Sequence, residues 1–255
     1  MVMYTKRVLY WQMKELIQIG KVKIIREVYL FGSFARGDYD QNSDIDILIV
    51  IDDCSETEYV ELKECFAGLL NIPISWISVY RISKILKMYD NGSYFLWHIK
   101  KEGKMIFSRE NQLSQLLCTL PQYKNVFRDL NEYIEILQDV IAETNNKIIC
   151  VEYELSVVAS LVRNTCIAIA YMNGNMEFGR NSAVMYCFRK YGITIDLQEY
   201  EELYKYRLYQ TGKIAEVPKG SVDLLDKWIK TEKELLEIAK KGVVDYEKRF
   251  MSGME

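Results

Sequence analysis

The five residues Ile47–Ile51, ILIVI, form an uninterrupted apolar run in which four side chains are β-branched. Such a run predicts a strand that is buried on both faces, so the fold must place a layer on each side of the sheet. The run directly follows Asp44-Ile45-Asp46. Carboxylates at the start of a buried strand are costly unless they meet a counter-charge. The sequence therefore predicts a layered fold in which these two acids have a specific role.

The remaining sequence divides into two halves with different periodicities. In the first half, β-branched and aromatic runs predict strands at 24–31, 46–51, 74–80 and 104–107. Helical spacing predicts helices at 3–19, 56–70 and 83–101, the last broken at Asn91-Gly92. In the second half, helices are predicted at 125–145, 151–172, 181–191, 196–211 and 221–241. We predict an α+β protein with a small mixed-sheet domain over 1–110 and an all-α helical bundle over 121–255.

Composition excludes several classes of protein. The net charge of −3 argues against a protein that coats nucleic acid, and any polyanionic partner would need a local basic patch. The six cysteines contain no C-x-x-C pair, which favours reduced thiols over a disulfide framework or a zinc site. The N-terminus lacks a secretory pattern, and no run was expected to be long and apolar enough to span a bilayer. We expect a cytoplasmic protein without a membrane or nucleic-acid partner.

The stretch between the first two strands carries the chemistry. Gly32 follows the strand at 24–31 and permits a tight turn that a ligand can approach closely. Ser33 adds a hydroxyl beside the N–H groups of a short helix, which is an arrangement that binds anions. Asp44 and Asp46 alternate on the next strand and leave the same face, where Mg²⁺ with substrate phosphates would supply the counter-charge. A phosphate-binding turn that faces a metal-binding acid pair indicates nucleotidyl transfer.

Gly32-Ser33, ten intervening positions and Asp44-Ile45-Asp46 resemble the signature of the DNA polymerase β nucleotidyltransferase superfamily. The likeness is strongest to its minimal and antibiotic nucleotidyltransferases. The resemblance implies that Asp44 and Asp46 are catalytic and hold Mg²⁺. It also implies four nucleotide-binding residues, Gly32, Ser33, Arg36 and Ser43. The implied reaction transfers a nucleoside monophosphate, AMP from ATP, to a hydroxyl of a small molecule or protein and releases pyrophosphate.

One departure from the family pattern concerns its third carboxylate, which helps to bind metal and activates the attacking hydroxyl. The corresponding strand, PISWISVY, contains no acid, and Ser75 takes the position. Either another base serves, with Glu152 and Glu154 as candidates, or the domain is a catalytically weakened nucleotide-binding or antitoxin-like regulatory module. The two glutamates have a second interpretation, as acids in the first turn of a helix.

The helix at 151–172 resembles the central helix of HEPN domains, helical bundles often coupled to minimal nucleotidyltransferases. Active HEPN ribonucleases carry an arginine followed by a histidine four to six residues later. Arg163 could be that arginine, but no histidine follows it, so we predict no ribonuclease activity. Arg163 and Asn164 either recognise a nucleotide or partner, or Arg163 pairs with an acid on a neighbouring helix. His98 is predicted to be a packed, hydrogen-bonded core residue. A homodimer is left open.

Overall fold

The computed structural model describes residues 23–40, 43–144 and 149–252. The chain divides into two compact units, and the boundary in the sequence lies between Lys124 and Asn125. The helix predicted at 3–19 lies outside the described residues. The division into domains 1–110 and 121–255 stays a prediction, and the stretch between them contains a helix, Gln112–Cys118, of the first unit.

A four-stranded sheet forms the centre of the first unit. Its strands are β1 (Ile25–Phe31), β2 (Asp46–Ile51), β3 (Ile77–Arg81) and β4 (Lys104–Ser108), in the order β3-β2-β1-β4. β1 is antiparallel to β2 and β4, and β2 is parallel to β3, so the predicted mixed sheet is confirmed. The register pairs Phe31 with Asp46 and Ile47 with Ile77. The first acid-bearing position of β2 therefore lies opposite the last residue of β1.

Helices cover both faces of the sheet, as the apolar run on β2 predicts. They are α1 (Gly32–Arg36), α2 (Glu56–Leu70), α3 (Ile82–Asp90), α4 (Tyr94–Glu102) and α5 (Gln112–Cys118). Ile47, Ile49 and Ile51 pack in one apolar cluster with residues of α1 and α2. Leu48 and Val50 pack in a second cluster with residues of α3, α4 and α5. Alternate residues of β2 thus enter two separate cores.

The strand predicted at 74–80 begins later than expected. Ile74–Trp76 forms a 3-10 turn, and β3 begins at Ile77. The apolar residues of ISWIS favour a strand, but the parallel pairing with β2 starts only at Ile77. The break predicted at Asn91-Gly92 is confirmed, because α3 ends at Asp90 and α4 begins at Tyr94. Gly92 has a φ of +62°, and a Cβ there would lie 2.3 Å from the carbonyl oxygen of Gln122.

The second unit is entirely helical within the described residues. It contains α6 (Val126–Thr144), α7 (Val151–Met172), α8 (Ser182–Tyr191), α9 (Leu197–Gln210) and α10 (Val222–Ser252). α7 contacts each of the other four helices and forms the core. α10 continues beyond its predicted end at 241, through Gly242. A Cβ at Gly242 would lie 3.4 Å from Cε of Met172, so the glycine allows α10 to pack closely on α7.

α7 corrects one expectation. Its 22 residues are long and apolar enough to cross a membrane by length and composition, which the sequence analysis did not anticipate. In the structure 78% of its most apolar window is buried inside the protein. A mostly buried helix of this kind is the expected centre of a helical bundle, so its apolar character is explained by packing.

Candidate active site

Gly32 and Asp46 meet where β1 ends and β2 begins. Gly32 directly follows Phe31, the register partner of Asp46, and has a φ of +69°. A Cβ at position 32 would lie 2.1 Å from Oδ2 of Asp46. Any other L-residue would both strain the backbone and collide with the carboxylate. The sheet register thus brings together the turn and the second acid of the sequence motif.

Asp44 lies before the strand and not within it. β2 begins at Asp46, so the expectation that both acids belong to the strand is wrong for Asp44. Ile45 between them is buried in the same apolar cluster as Ile47. The alternation of buried and partly buried side chains along β2 therefore already includes Ile45, one residue before the strand begins. Asp44 and Asp46 are each partly buried.

The two predicted serines have different roles in the structure. The backbone oxygen of Ser33 accepts hydrogen bonds from the N–H groups of Gly37 and Asp38, at 2.8 and 3.2 Å. Its hydroxyl donates to no side chain or backbone group of the described residues, so it is available to a ligand. The Ser43 hydroxyl donates to Oδ1 of Asp40 and accepts from the Asp40 N–H, both at 2.9 Å. These two bonds join Ser43 to Asp40 ahead of the acid pair.

Arg36, the last residue of α1, is held by two carboxylates. Its Nε donates to both oxygens of Asp38 at 3.1 Å, and its Nη1 donates to Glu102 at the end of α4. Oε2 of Glu102 also lies 2.7 Å from Nε2 of His98. The Glu102 side chain is only 4% exposed, so it bridges two cationic or hydrogen-bonding groups inside the unit.

The electrostatics of this bridge favour the ionised forms. Burial alone would raise the pKa of Glu102, yet the hydrogen bonds and charges of His98 and Arg36 bring the pKa below its ordinary value. Burial alone would lower the pKa of Arg36, but its bonds to Asp38 and Glu102 raise the pKa. Charge-assisted hydrogen bonds of this kind are stronger than neutral ones. Because the Glu102 side chain is buried, solvent and salt screen them little.

The prediction for His98 is confirmed. Its ring packs edge-on against Phe31 with centroids 5.3 Å apart, and its Nε2 bonds Glu102. Glu102 and Lys104 were not among the predicted site residues. Lys104, the first residue of β4, donates through Nζ to the carbonyl of Ala35 in α1. In the sequence, this segment shows only two charged residues, one on either side of Gly103. A surface loop shows the same pattern, so it could not predict a role in the site.

The third-carboxylate position remains without an acid on β3. Ser75 lies in the exposed 3-10 turn before the strand. The parallel pairing with β2 begins at Ile47 and Ile77, so no residue of β3 is the register partner of Asp46. Within the described parts of the chain, no group of three or more His, Cys, Asp or Glu side chains is positioned to hold a metal ion.

The candidate residues of the helical unit are engaged in structural contacts. Oε1 of Glu152 accepts the Gly220 N–H at 2.8 Å, and this backbone bond lowers the pKa of Glu152. Glu154 is buried, and burial followed by the charge of Glu143 raises its pKa. Arg163 donates from Nη2 to the carbonyl of Phe178 at 2.8 Å. The alternative that Arg163 pairs with an acid is wrong within the part of the helical unit that the structure describes.

Comparison with known proteins identifies relatives of the first unit. The family described as "Polymerase beta, Nucleotidyltransferase" matches residues 14–112. A Methanocaldococcus jannaschii protein named "Putative protein adenylyltransferase MJ0604" is 33% identical over 97 residues, which cover 37% of this chain and 93% of that protein. A second protein of the same organism, "Putative protein adenylyltransferase MJ1379", is 36% identical over 76 residues, covering 26% of this chain and 75% of its own length.

Two solved structures also resemble the chain. The spectinomycin adenyltransferase AAD(9) of Enterococcus faecialis, with ATP and spectinomycin, has a TM-score of 0.46 at 15% identity and covers 89% of this chain and 99% of its own. A toxin–antitoxin structure with AMP-PNP has a TM-score of 0.32 at 19% identity and covers 52% and 98%. The family match and the archaeal relatives agree with the Gly32-Ser33 turn and the acid pair. The chain belongs to the polymerase beta nucleotidyltransferase family and is a nucleotidyltransferase.

Proposed function

We propose that this chain transfers AMP from ATP to a hydroxyl of a small molecule or protein, in a reaction that requires Mg²⁺. The observation that carries the proposal is the contact between the bare Cα of Gly32 and the carboxylate of Asp46. No side chain separates the phosphate-binding turn from the acid. The archaeal relatives carry the name "Putative protein adenylyltransferase", which supports the choice of AMP and the inclusion of a protein among the acceptors.

The donor set of the acid pair fits Mg²⁺. Asp44 and Asp46 flank a buried isoleucine at the start of β2, and carboxylate oxygens with substrate phosphates are the ligands that Mg²⁺ takes in proteins. The Cβ that Gly32 lacks would occupy the space beside Oδ2 of Asp46. When bound, the ion would neutralise charge that develops on the phosphates. Asp44 and Asp46 would hold it.

The protein groups around this pair bind and orient the nucleotide. The Ser33 hydroxyl, which bonds no other group of the described residues, would donate to a phosphate oxygen, and Arg36 would add a positive charge at the end of the same helix. In the reaction, an acceptor oxygen forms a bond to the α-phosphorus. The bond from that phosphorus to the oxygen that bridges to the β-phosphate breaks, and pyrophosphate leaves. The acceptor hydroxyl gives its proton to a general base.

The acid pair and a labelled substrate provide the test. The purified chain is incubated with Mg²⁺ and ATP labelled at the α-phosphate, alone and with a lysate. We expect label on an acceptor, and loss of transfer in Asp44→Asn and Asp46→Asn. Asp90→Asn, the same change at an exposed helix end, is the control and should retain transfer. Transfer that persists in both acid-pair variants would contradict the proposed site.

A second candidate function is a nucleotide-binding or antitoxin-like regulatory module with little catalysis. The composition of β3, ISVYR, favours it, because this strand offers no carboxylate to accept the proton. General-base assistance typically contributes about 10²–10⁴ in rate, so its loss would slow transfer severely. ATP binding with a dissociation constant below the ATP concentration, together with no label on any acceptor, would select this function over the enzyme.

A further inference from the structure

Two charged residues at the end of α4 and the start of β4 contact α1, the helix of the Gly32-Ser33 turn. Glu102 bonds the Arg36 guanidinium, and Lys104 donates to the Ala35 carbonyl. Gly103 lies between them, and a Cβ there would lie 2.4 Å from the carbonyl oxygen of Ile99. The glycine therefore permits the sharp turn that aims both neighbours at the same short helix.

The Arg36 guanidinium is only partly used by its carboxylates. Nε and Nη1 bond Asp38 and Glu102, while Nη2 makes no hydrogen bond within the described residues. The Arg36 side chain is 26% exposed, compared with 4% for Glu102. A guanidinium has five donors in a rigid plane, so two bonded edges fix the direction of the third. Nη2 takes no part in these bonds and is left as a donor for a ligand.

We propose that Glu102 is a positioning residue for nucleotide binding, because it holds Arg36 at the end of α1, the short helix that begins with Gly32 and Ser33. This inference rests on the proposed function. The Glu102 side chain is only 4% exposed and bonds Arg36, so its effect on a nucleotide would pass through Arg36. Asp38, the other carboxylate on the guanidinium, is 61% exposed and is a weaker constraint, because solvent screens its charge.

A double-mutant cycle separates this role from a general effect on stability. ATP binding with Mg²⁺ is measured by calorimetry for Arg36→Gln, Glu102→Gln and the double variant. Loss of a charged hydrogen-bond partner should weaken binding by about tenfold or more in each single variant. If Glu102 acts through Arg36, the double variant binds no more weakly than Arg36→Gln. In turnover, Glu102→Gln should raise KM for ATP more than it lowers kcat.

Glu110→Gln is the matched control. Like Glu102, Glu110 bridges two basic side chains, here Nη2 of Arg26 at 3.1 Å and Arg109 at 3.0 Å, but it does so at the opposite end of β1. It should leave ATP affinity unchanged. Arg36→Lys keeps the charge but cannot contact two carboxylates in one plane, so it should also weaken binding, and it decides the question if Glu102→Gln does not fold.

The outcomes distinguish this inference from the function on which it rests. A wild-type chain that binds no nucleotide removes the proposed function and this inference with it. If the wild type binds ATP and both Glu102→Gln and Arg36→Lys bind it with the affinity of the wild type, only this inference is removed. The inference would also be overturned if the loss of ATP affinity in the double variant equalled the product of the losses in the two single variants, since Glu102 would then act independently of Arg36.

Discussion

The Cα of Gly32 lies directly against the carboxylate of Asp46, so that an added Cβ would come within 2.1 Å of Oδ2. This contact follows from the antiparallel register that pairs Phe31 with Asp46. Two parts of the sequence motif that are fourteen residues apart are therefore one structural unit. The glycine is required twice, once for its positive φ and once for the space that the carboxylate occupies.

Gly32→Ala should abolish nucleotide binding and destabilise the first unit. The left-handed backbone alone costs an alanine about 1–2 kcal/mol, and the collision with Asp46 adds to it by displacing the acid. Urea unfolding and ATP calorimetry measure the two effects.

Two other glycines serve as controls for Gly32→Ala. Gly192→Ala has the same backbone problem, with a φ of +66°, but nothing lies within 4 Å of its added Cβ. It should lose stability without losing ATP affinity. Gly68→Ala lies in α2 with open space and ordinary backbone, and should be stabilised by about 0.5–1 kcal/mol. ATP binding by Gly32→Ala equal to that of Gly192→Ala would show that the contact has no functional role.

Thermal unfolding should report the acid pair without any knowledge of the acceptor. ATP with Mg²⁺ should raise the wild-type melting temperature, because a ligand that binds only the folded state stabilises it by mass action. Chelation of the metal with EDTA should remove most of the shift, and Asp44→Asn or Asp46→Asn should show little shift with the metal present. An equal shift in EDTA and in Mg²⁺ would argue against metal-dependent binding.

Glu27 is expected to be a stabilising buried acid of the first unit. It is 1% exposed; its Oε1 accepts the Leu113 N–H at 2.6 Å and its Oε2 accepts the Tyr29 hydroxyl at 3.0 Å. Glu27→Ala leaves a buried backbone donor of α5 unpaired, which should cost about 3 kcal/mol. Tyr29→Phe removes the hydroxyl that bonds both Glu27 and Ser114, and it should cost about 1 kcal/mol.

Exposed Glu61 of α2 provides the control for this prediction. Glu61→Ala should change the free energy of unfolding by no more than about 0.5 kcal/mol. Urea denaturation of the three variants measures the differences. A Glu27→Ala variant as stable as Glu61→Ala would mean that water satisfies the amide of Leu113.

The sequence predicted the elements that have strong periodicity. The run at Ile47–Ile51 indicated a strand with two covered faces, and the helix at 151–172 has the predicted bounds. Elements whose ends depend on tertiary contacts were less accurate. β3 begins where parallel pairing with β2 begins, and α10 continues through Gly242, where it packs against Met172 of α7. Neither contact can be read from local spacing.

The same distinction holds for the site. The turn and the acids lie close in sequence, so a motif could predict them. The bond between Arg36 and Glu102 joins residues 66 apart, and long-range ion pairs leave no local pattern. Ser43 carried a nucleotide-binding prediction, and its hydroxyl bonds Asp40 instead of being free. The motif predicts which residues form the site, whereas packing decides which of their polar atoms bond other protein groups.

Glu232 in α10 should make stability fall as pH rises. The residue is 0% exposed; its Oε1 accepts the Thr165 hydroxyl at 2.6 Å, and its Oε2 has no hydrogen-bond partner in the described structure. Burial raises the pKa of Glu232 to about 8, from an ordinary value near 4.5. The unfolded chain therefore releases the proton at lower pH than the folded chain. Between these two values, stability should fall by up to about 1.4 kcal/mol per pH unit.

Glu232→Gln removes the ionisable proton while keeping the shape and the bond from Thr165. Its stability should lack this decline, so the variant should become more stable than the wild type as pH approaches 8. Glu234→Gln, two residues away and exposed, should follow the wild-type curve. Urea unfolding at half-unit steps from pH 5 to pH 9 measures all three curves. A wild-type curve parallel to that of Glu232→Gln would show that Glu232 is ionised in the folded protein, with a charge partner or water at Oε2.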